Sequence, residues 1–403
     1  MSAPRYPLAE KPAHVAEALV HDVDIYDLPG LIDGQTDDIH RLWKQIQDSC
    51  PPVFWTPRNK GHWLLTRFET MQSVAMSPQL FSSSDIFIPQ GAAPPLTPVN
   101  LDPPDHTRFR QLMMPAFTPA ALARATGRAQ DVAVAIIEDL KTKGGCEFVS
   151  AFSSVMPVVV FMSLINLPME DLEFLRGLSG KTSPGNAESQ AAWATLTAYA
   201  QRQIDLRREA RQDDWISSLL DAEAAGAPVT REQILSMVLL AVSAGLGTVA
   251  TTMTFFATFL ATSPDHRRQL IEHPDVIDGA IEEMMRRFGV SNIARVAAQD
   301  TELDGVTVKK GESVLMVFPL AGLDESVNPD PMTVDFRRKA ARHLLFGAGS
   351  HTFIGNRLAR CELRIFLEEW LKRIPDFEIA PGTRPVETTG VTNHIREVQL
   401  VWN

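Results

Sequence analysis

Phe346-Gly347-Ala348-Gly349-Ser350-His351-Thr352-Phe353-Ile354-Gly355-Asn356-Arg357-Leu358-Ala359-Arg360 places three glycines ahead of a run with helical spacing. A glycine-rich loop that opens a helix can cradle an anion on free amides. This one lacks the Lys-Ser/Thr ending of a phosphate-binding P-loop. The helix it opens is expected over Gly355 to Ile374. Upstream, Glu283-Met284-Met285-Arg286 lies in a helix expected from Asp278 to Phe288, with an acid and a base three apart on one face. Alone, such a pair reads as a surface salt bridge. Further upstream, Ala244-Gly245-Leu246-Gly247-Thr248 puts two glycines inside a helical pattern. Each weakens a helix by about 1 kcal/mol relative to alanine, so the reading is close approach of a ligand or another backbone, or simply close helix packing. Earlier still, His106-Thr107-Arg108-Phe109-Arg110 sets His106 and Arg110 four apart, able to grip one anion or to form a solvated basic face.

The chain has 403 residues, 45% hydrophobic and 22% charged, which is ordinary for a globular protein. A net charge of −11 argues against nucleic acid or an anionic membrane as partner. Cys50, Cys146 and Cys361 are far apart, in no metal-ligand or redox spacing, which points to a reducing compartment. The opening Met-Ser-Ala-Pro-Arg-Tyr-Pro has no apolar core of a signal peptide. Ile234 to Ser263 carries no charged side chain and is long enough to span a bilayer. It also carries Ser236, Ser243, the two glycines and several threonines, with no Lys/Arg belt beside it. A core helix from Arg231 to Thr262, buried all round, is therefore expected, in a cytoplasmic protein.

No repeat or flexible linker divides the chain, so one domain over 1–403 is expected, β-richer over about 1–105 and helical beyond. Val53–Thr56 and His62–Thr66 read as a hairpin. Six prolines between Phe87 and Pro104 forbid an ordinary helix or central strand, leaving a long irregular loop that is either a binding wall or tolerated surface. Helices are expected over Pro119 to Lys143 behind Thr118, Met169 to Gly180, Ser189 to Arg211, Trp215 to Ala224, and Pro264 to His273. Strands return over Arg295 to Phe318, with a tight turn at Leu303-Asp304-Gly305-Val306.

In this order, the four motifs resemble the cytochrome P-450 superfamily over nearly the whole chain. The resemblance is closest to the bacterial camphor-hydroxylase branch from Leu239 through Trp402. Arg287-Phe288, Asp304-Gly305-Val306, Lys309-Lys310-Gly311, Ile374-Pro375-Asp376-Phe377 and Leu400-Val401-Trp402 carry that closer match. It implies a mainly α fold with small β-sheets, a triangular helical prism around a long central helix. It also implies that Glu283 and Arg286 form the structural Glu-x-x-Arg pair, and that His106, Arg110, Arg295 and His351 receive haem propionates. Thr248 matches the threonine of the oxygen-activating helix.

Two departures strike at the chemistry the resemblance implies. Phe353 stands where the family places the cysteine whose thiolate ligates haem iron and drives oxygen–oxygen cleavage. Gly247 stands where the family usually places the acid that feeds the proton relay. The expectation is a P-450-fold protein that has lost thiolate-haem monooxygenation and uses an apolar pocket for a terpenoid-like molecule. In one version it is a haem-independent cyclase or lyase acting on a prenyl diphosphate, whose anionic end the four basic residues would hold, with Phe353 stabilising carbocations through its ring face. Mg2+ enters only with such a diphosphate. Asp37-Asp38 and Asp213-Asp214 lack the third acid of a metal-binding Asp-Asp-x-x-Asp motif.

The alternatives stay open: haem b bound without cysteine ligation, a Cys-to-Phe variant of a terpenoid monooxygenase, or a non-catalytic P-450-like helper. A ferredoxin partner follows only from the monooxygenase reading. By match to the family's segments, Phe87, Leu96, Leu246, Ser291, Asn292 and Ile293 are expected to line the pocket. The only tyrosines are Tyr6, Tyr26 and Tyr199, none of them in the proline-rich loop where the camphor-binding branch holds a ketone.

Overall fold

The computed structural model describes residues 6–28, 38–183 and 188–403. Asp37 and the first five residues lie outside them. The N-terminal third begins with α1 (Ile39–Ser49), capped by the Asp38 carboxylate accepting from the His40 amide. β1 (Val53–Thr56) and β2 (His62–Leu65) form the expected antiparallel hairpin. Its turn needs left-handed backbone at Asn59, Lys60 and Gly61, and a Cβ on Gly61 would fall 2.7 Å from the Trp55 ring. After α2 (Phe68–Met76) and the short β3 (Phe81–Ser82), the proline-rich segment has no helix or strand before α3 (Asp105–Met113).

The helical remainder starts with α4 (Pro119–Lys141), where the Thr118 hydroxyl accepts from the Ala121 amide and proline sits at the first turn. Ala121, Ala125, Ala129 and Ala133 repeat every fourth residue and are buried, letting neighbouring helices come close. Then follow β4 (Gly145–Glu147), α5 (Met156–Leu164), α6 (Leu172–Arg176), α7 (Ser189–Glu209) and α8 (Trp215–Ala224). The helix expected over Met169–Gly180 shrinks to one turn of 3-10 helix and α6, because Gly177 and a left-handed Gly180 end it early.

The central helix differs from expectation. It is two segments, α9 (Arg231–Ala244) and α10 (Thr248–Thr262), interrupted at Gly245–Gly247. Gly247, at φ −145° and ψ −34°, leaves the helical region, while Gly245 keeps right-handed helical backbone and packs closely: a Cβ there would sit 2.2 Å from the Phe161 ring of α5. By length and composition the stretch could cross a membrane, yet Met253, Phe255, Phe256 and Leu260 are buried in the protein core.

Next come α11 (Pro264–Glu272), α12 (Ile277–Arg287), β5 (Asn292–Ala297), β6 (Thr301–Leu303), β7 (Val306–Val308), β8 (Ser313–Val317) and α13 (Phe318–Gly322). The β6–β7 turn has left-handed Asp304 and Gly305. The last long helix is α14 (Asn356–Arg373), followed by β9 (Glu378–Ile379), β10 (Glu387–Thr388), β11 (His394–Ile395) and β12 (Gln399–Val401). The main sheet runs β1-β2-β8-β5-β3, with β2 and β8 parallel and the other pairs antiparallel. It is thus not confined to the first 105 residues, because β5 and β8 complete it. α4 packs between α5 and α14. The apolar side chains form two clusters, one spanning the sheet, α4, α10, α12 and α14, the other joining α5, α7, α8 and α9.

Candidate functional site

Between those clusters lies a mostly apolar cavity of about 450 Å³. Of the expected pocket residues, Phe87 and Leu96 from the proline-rich loop, Leu246 from the helix break, and Ser291 and Ile293 beside β5 line it. Asn292 does not. Strand alternation turns it into the protein, where its Nδ2 donates to the Gly390 carbonyl at 2.6 Å.

The four basic residues converge on this cavity from three separate elements. α3 supplies His106 and Arg110, β5 supplies Arg295, and the turn Gly349–His351 supplies His351. The His106 and His351 rings are 4.1 Å apart. Arg110 donates to the Ser350 and Thr352 carbonyls at 3.2 and 2.5 Å, and Arg295 to its neighbour's carbonyl, Ala294, at 2.8 Å. Among the described residues, no carboxylate comes within 4.0 Å of either guanidinium. The charge of Asp102 acts on Arg295, but one of its oxygens accepts the Ser83 amide at 2.8 Å and the other accepts the Ser82 hydroxyl.

Burial draws the Arg295 guanidinium down to about 10 against the pull of Asp102. Burial, then the charges of Arg295, His106 and Arg110, pushes His351 down to about 3. Burial and Arg110 also lower His106, whose Nδ1 has no hydrogen-bond partner. Near neutral pH the imidazoles are therefore uncharged donors and acceptors, while two unneutralised guanidiniums face the cavity. Unpaired buried charge is costly, so this wall is built for an anion.

Phe353 lines the same cavity, 37% exposed, its ring stacked parallel to Phe346 at 6.2 Å and lying over Gly355. Gly347 and Gly349 adopt left-handed backbone, which this loop requires. Gly247 and Thr248 also line the cavity, at the start of α10. Gly247 differs from Gly245 in having room: a Cβ would meet only the Ser179 hydroxyl, at 3.6 Å. Cys50, Cys146 and Cys361 are partly buried, and none is in the cavity wall.

Glu283 and Arg286 stand away from the cavity and are not a surface pair. Both are fully buried, joined by two hydrogen bonds of 2.7 and 2.8 Å. Glu283 also accepts from the Asp335 amide and from Arg338, while Arg286 donates to the Gly322, Pro331 and Thr333 carbonyls. Gly322 admits this contact because any Cβ there would lie 2.0 Å from the Arg286 carbonyl oxygen. Such a pair is tolerable in the core only because every remaining lone pair and proton is met.

Two titratable side chains in the wall escaped the sequence reading. Glu362 of α14 is buried, one carboxylate oxygen lacks a partner, and burial raises it well above the usual carboxylate range. An acid on the apolar face of a helix was the available signal. His394 of β11 left none, since its neighbours come together only through the fold.

The sequence matches the cytochrome P-450 family pattern over residues 172–400. It is 32% identical to the probable cytochrome P-450 127A1 of Sinorhizobium fredii, covering 97% of this chain and 96% of that protein. The chain belongs to the cytochrome P-450 family. The crystal structure of CYP101J2 superposes with a TM-score of 0.89 at 33% identity, covering 98% of this chain and all of that one. Linalool 8-monooxygenase of Pseudomonas putida is 27% identical over 83% of this chain and 88% of its own length. These likenesses place the chain in the camphor-hydroxylase-like branch, with haem as the family's usual cofactor.

The residues present fit that cofactor in part. Four donors around two guanidiniums suit its pair of carboxylates. In the loop of Phe353, by contrast, the side chain facing the cavity offers only carbon, which has no lone pair for iron.

Proposed function

We propose that this P-450-family chain is an enzyme acting on a hydrophobic, terpenoid-sized molecule by a reaction that does not run through cysteine-ligated iron. The observation that carries the reading is Phe353 in a cavity wall that contains no cysteine. The apolar lining and the likeness to linalool 8-monooxygenase support the substrate class. The basic wall supports an occupant with two or more negative charges. His106, Arg110, Arg295 and His351 would hold that anionic end, and Phe87, Leu96, Leu246, Ser291 and Ile293 would shape the apolar part.

Family membership favours haem b as the occupant, held by its carboxylates and ring faces with altered iron ligation. When bound, haem supplies redox chemistry to this cavity. A ferredoxin partner belongs to that reading only in its monooxygenase form. Phe353 and Gly247 together favour a second occupant, a prenyl diphosphate. There the arginine pair would accept the departing diphosphate as its carbon–oxygen bond breaks, the electron pair leaving with oxygen. The cation would close on an alkene beside aromatic faces such as Phe353, then lose a proton to the departed diphosphate. Among the described residues no group of three or more His, Cys, Asp or Glu could hold a metal, so Mg2+ would arrive with the diphosphate. A cytoplasmic location, with no membrane or nucleic-acid partner, accords with the sequence's acidic balance.

Haem titration and incubation with farnesyl diphosphate separate the two occupants. Saturable haem uptake without release of inorganic pyrophosphate supports the first; pyrophosphate release with cyclic hydrocarbon products supports the second. A native cysteine-thiolate spectrum would overturn both.

A further inference from the structure

The cavity has a polar contact remote in sequence from the basic set. His394 in β11 lines the wall, and its Nδ1 lies 2.7 Å from the Thr251 hydroxyl in the first turn of α10. The helix break at Gly245–Gly247 starts α10 at the cavity, and the Thr251 amide bonds back to the Gly247 carbonyl at 2.9 Å. On the other side, the strand-like contact between Ser291 and Thr392, with the Asn393 amide on the Val290 carbonyl at 2.7 Å, fixes the segment that carries His394.

Among the described residues the Thr251 hydroxyl has no other acceptor, so its proton goes to Nδ1. That leaves the ring as the Nε2–H tautomer, and among the described residues Nε2 has no hydrogen-bond partner. Burial, and then Arg396, holds the ring neutral, down to about 4. A neutral imidazole with one free N–H, fixed in orientation at the edge of an apolar cavity, is suited to an uncharged oxygen acceptor.

We propose that His394, oriented by Thr251, is a specificity-determining donor that selects ligands carrying a neutral hydroxyl or carbonyl oxygen. The inference rests on the cavity's being a pocket for terpenoid-sized molecules with haem at the basic wall, since a prenyl diphosphate has no neutral hydroxyl or carbonyl oxygen. The substrate class narrows accordingly from terpenoid hydrocarbons to oxygen-bearing terpenoids.

The test is binding of a matched pair, farnesol and farnesene, to the purified protein by calorimetry. The same pair is measured for His394→Leu and Thr251→Val. One hydrogen bond to a neutral oxygen corresponds to roughly a 3- to 10-fold preference. Wild type should prefer farnesol by that factor, and His394→Leu should abolish the preference while leaving farnesene affinity unchanged. Thr251→Val, which frees the ring without altering it, should reduce the preference, and His394→Gln should restore part of it. A structural role alone would shift both affinities together, and that would overturn the proposal. An undiminished preference in His394→Leu would overturn it too, while leaving the terpenoid pocket standing. Failure of wild type to bind either molecule would overturn the pocket reading and this inference with it.

Discussion

At the residue scale, the account turns on side chains that face one cavity from distant parts of the chain. Phe353 can be tested by restoring what the family pattern has there. Phe353→Cys, supplied with haem, is expected to gain a thiolate-type carbon monoxide spectrum. If it does not, the loop has been remodelled beyond one substitution. Arg295 is the more deeply buried of the two arginines in the basic wall and has only its neighbour's carbonyl as partner among the described residues. Arg295→Leu is expected to raise the thermal midpoint by removing an uncompensated buried charge. It should at the same time weaken haem or diphosphate binding by at least about 10-fold, as expected for loss of a charge-assisted contact. Unchanged affinity would show that the wall is not an anion site. The basic set was legible from the spacing of His106 and Arg110 and from the family pattern for Arg295 and His351. Asn292 misled because matching a segment does not tell which face of a strand a residue takes.

At the scale of elements, the interruption between α9 and α10 separates two glycines that look equivalent in sequence. Gly245 is bound by packing: Gly245→Ala drives a methyl into the Phe161 ring, 2.2 Å away, and should cost about 1–3 kcal/mol in chemical denaturation. Gly247 is not so bound, and Gly247→Asp should fold with a loss under about 1 kcal/mol, since its Cβ meets nothing closer than 3.6 Å. If the two variants destabilised the protein equally, packing would not be what sets the two glycines apart. Sequence pattern found the helices with strong caps, such as α4 behind Thr118 and α8 behind Asp214, within a few residues. It ran α9 and α10 together because the apolar run continues past both glycines with no charge or proline to stop it. The partner that requires glycine at 245, Phe161, is distant in sequence.

At the scale of the whole molecule, the buried histidines govern the acid side of stability. Burial holds His62 and His351 at about 3 and His394 at about 4, against an ordinary value near 6.5 in the unfolded chain. Between those limits the unfolded chain takes up protons that the folded chain refuses, so stability falls as pH drops from about 6.5 toward 4. At pH 5 each contributes a loss on the order of 2 kcal/mol. Glu362, raised by burial, works the other way, since its folded form stays protonated while the unfolded chain ionises above about 4.5. The urea midpoint is therefore expected to be lower at pH 5 than at pH 7, and an equal or higher midpoint would refute the assignment. None of this was legible in the sequence, because a histidine's burial depends on elements that meet only in the folded chain.

The central claim is that this family member does not carry out thiolate-ligated haem chemistry. The most direct measurement is the absorption spectrum of the purified protein, with haem supplied, before and after reduction under carbon monoxide. The account predicts either no Soret band or a Soret band without the thiolate-type carbon monoxide shift. A thiolate-type shift in the unaltered chain would contradict it.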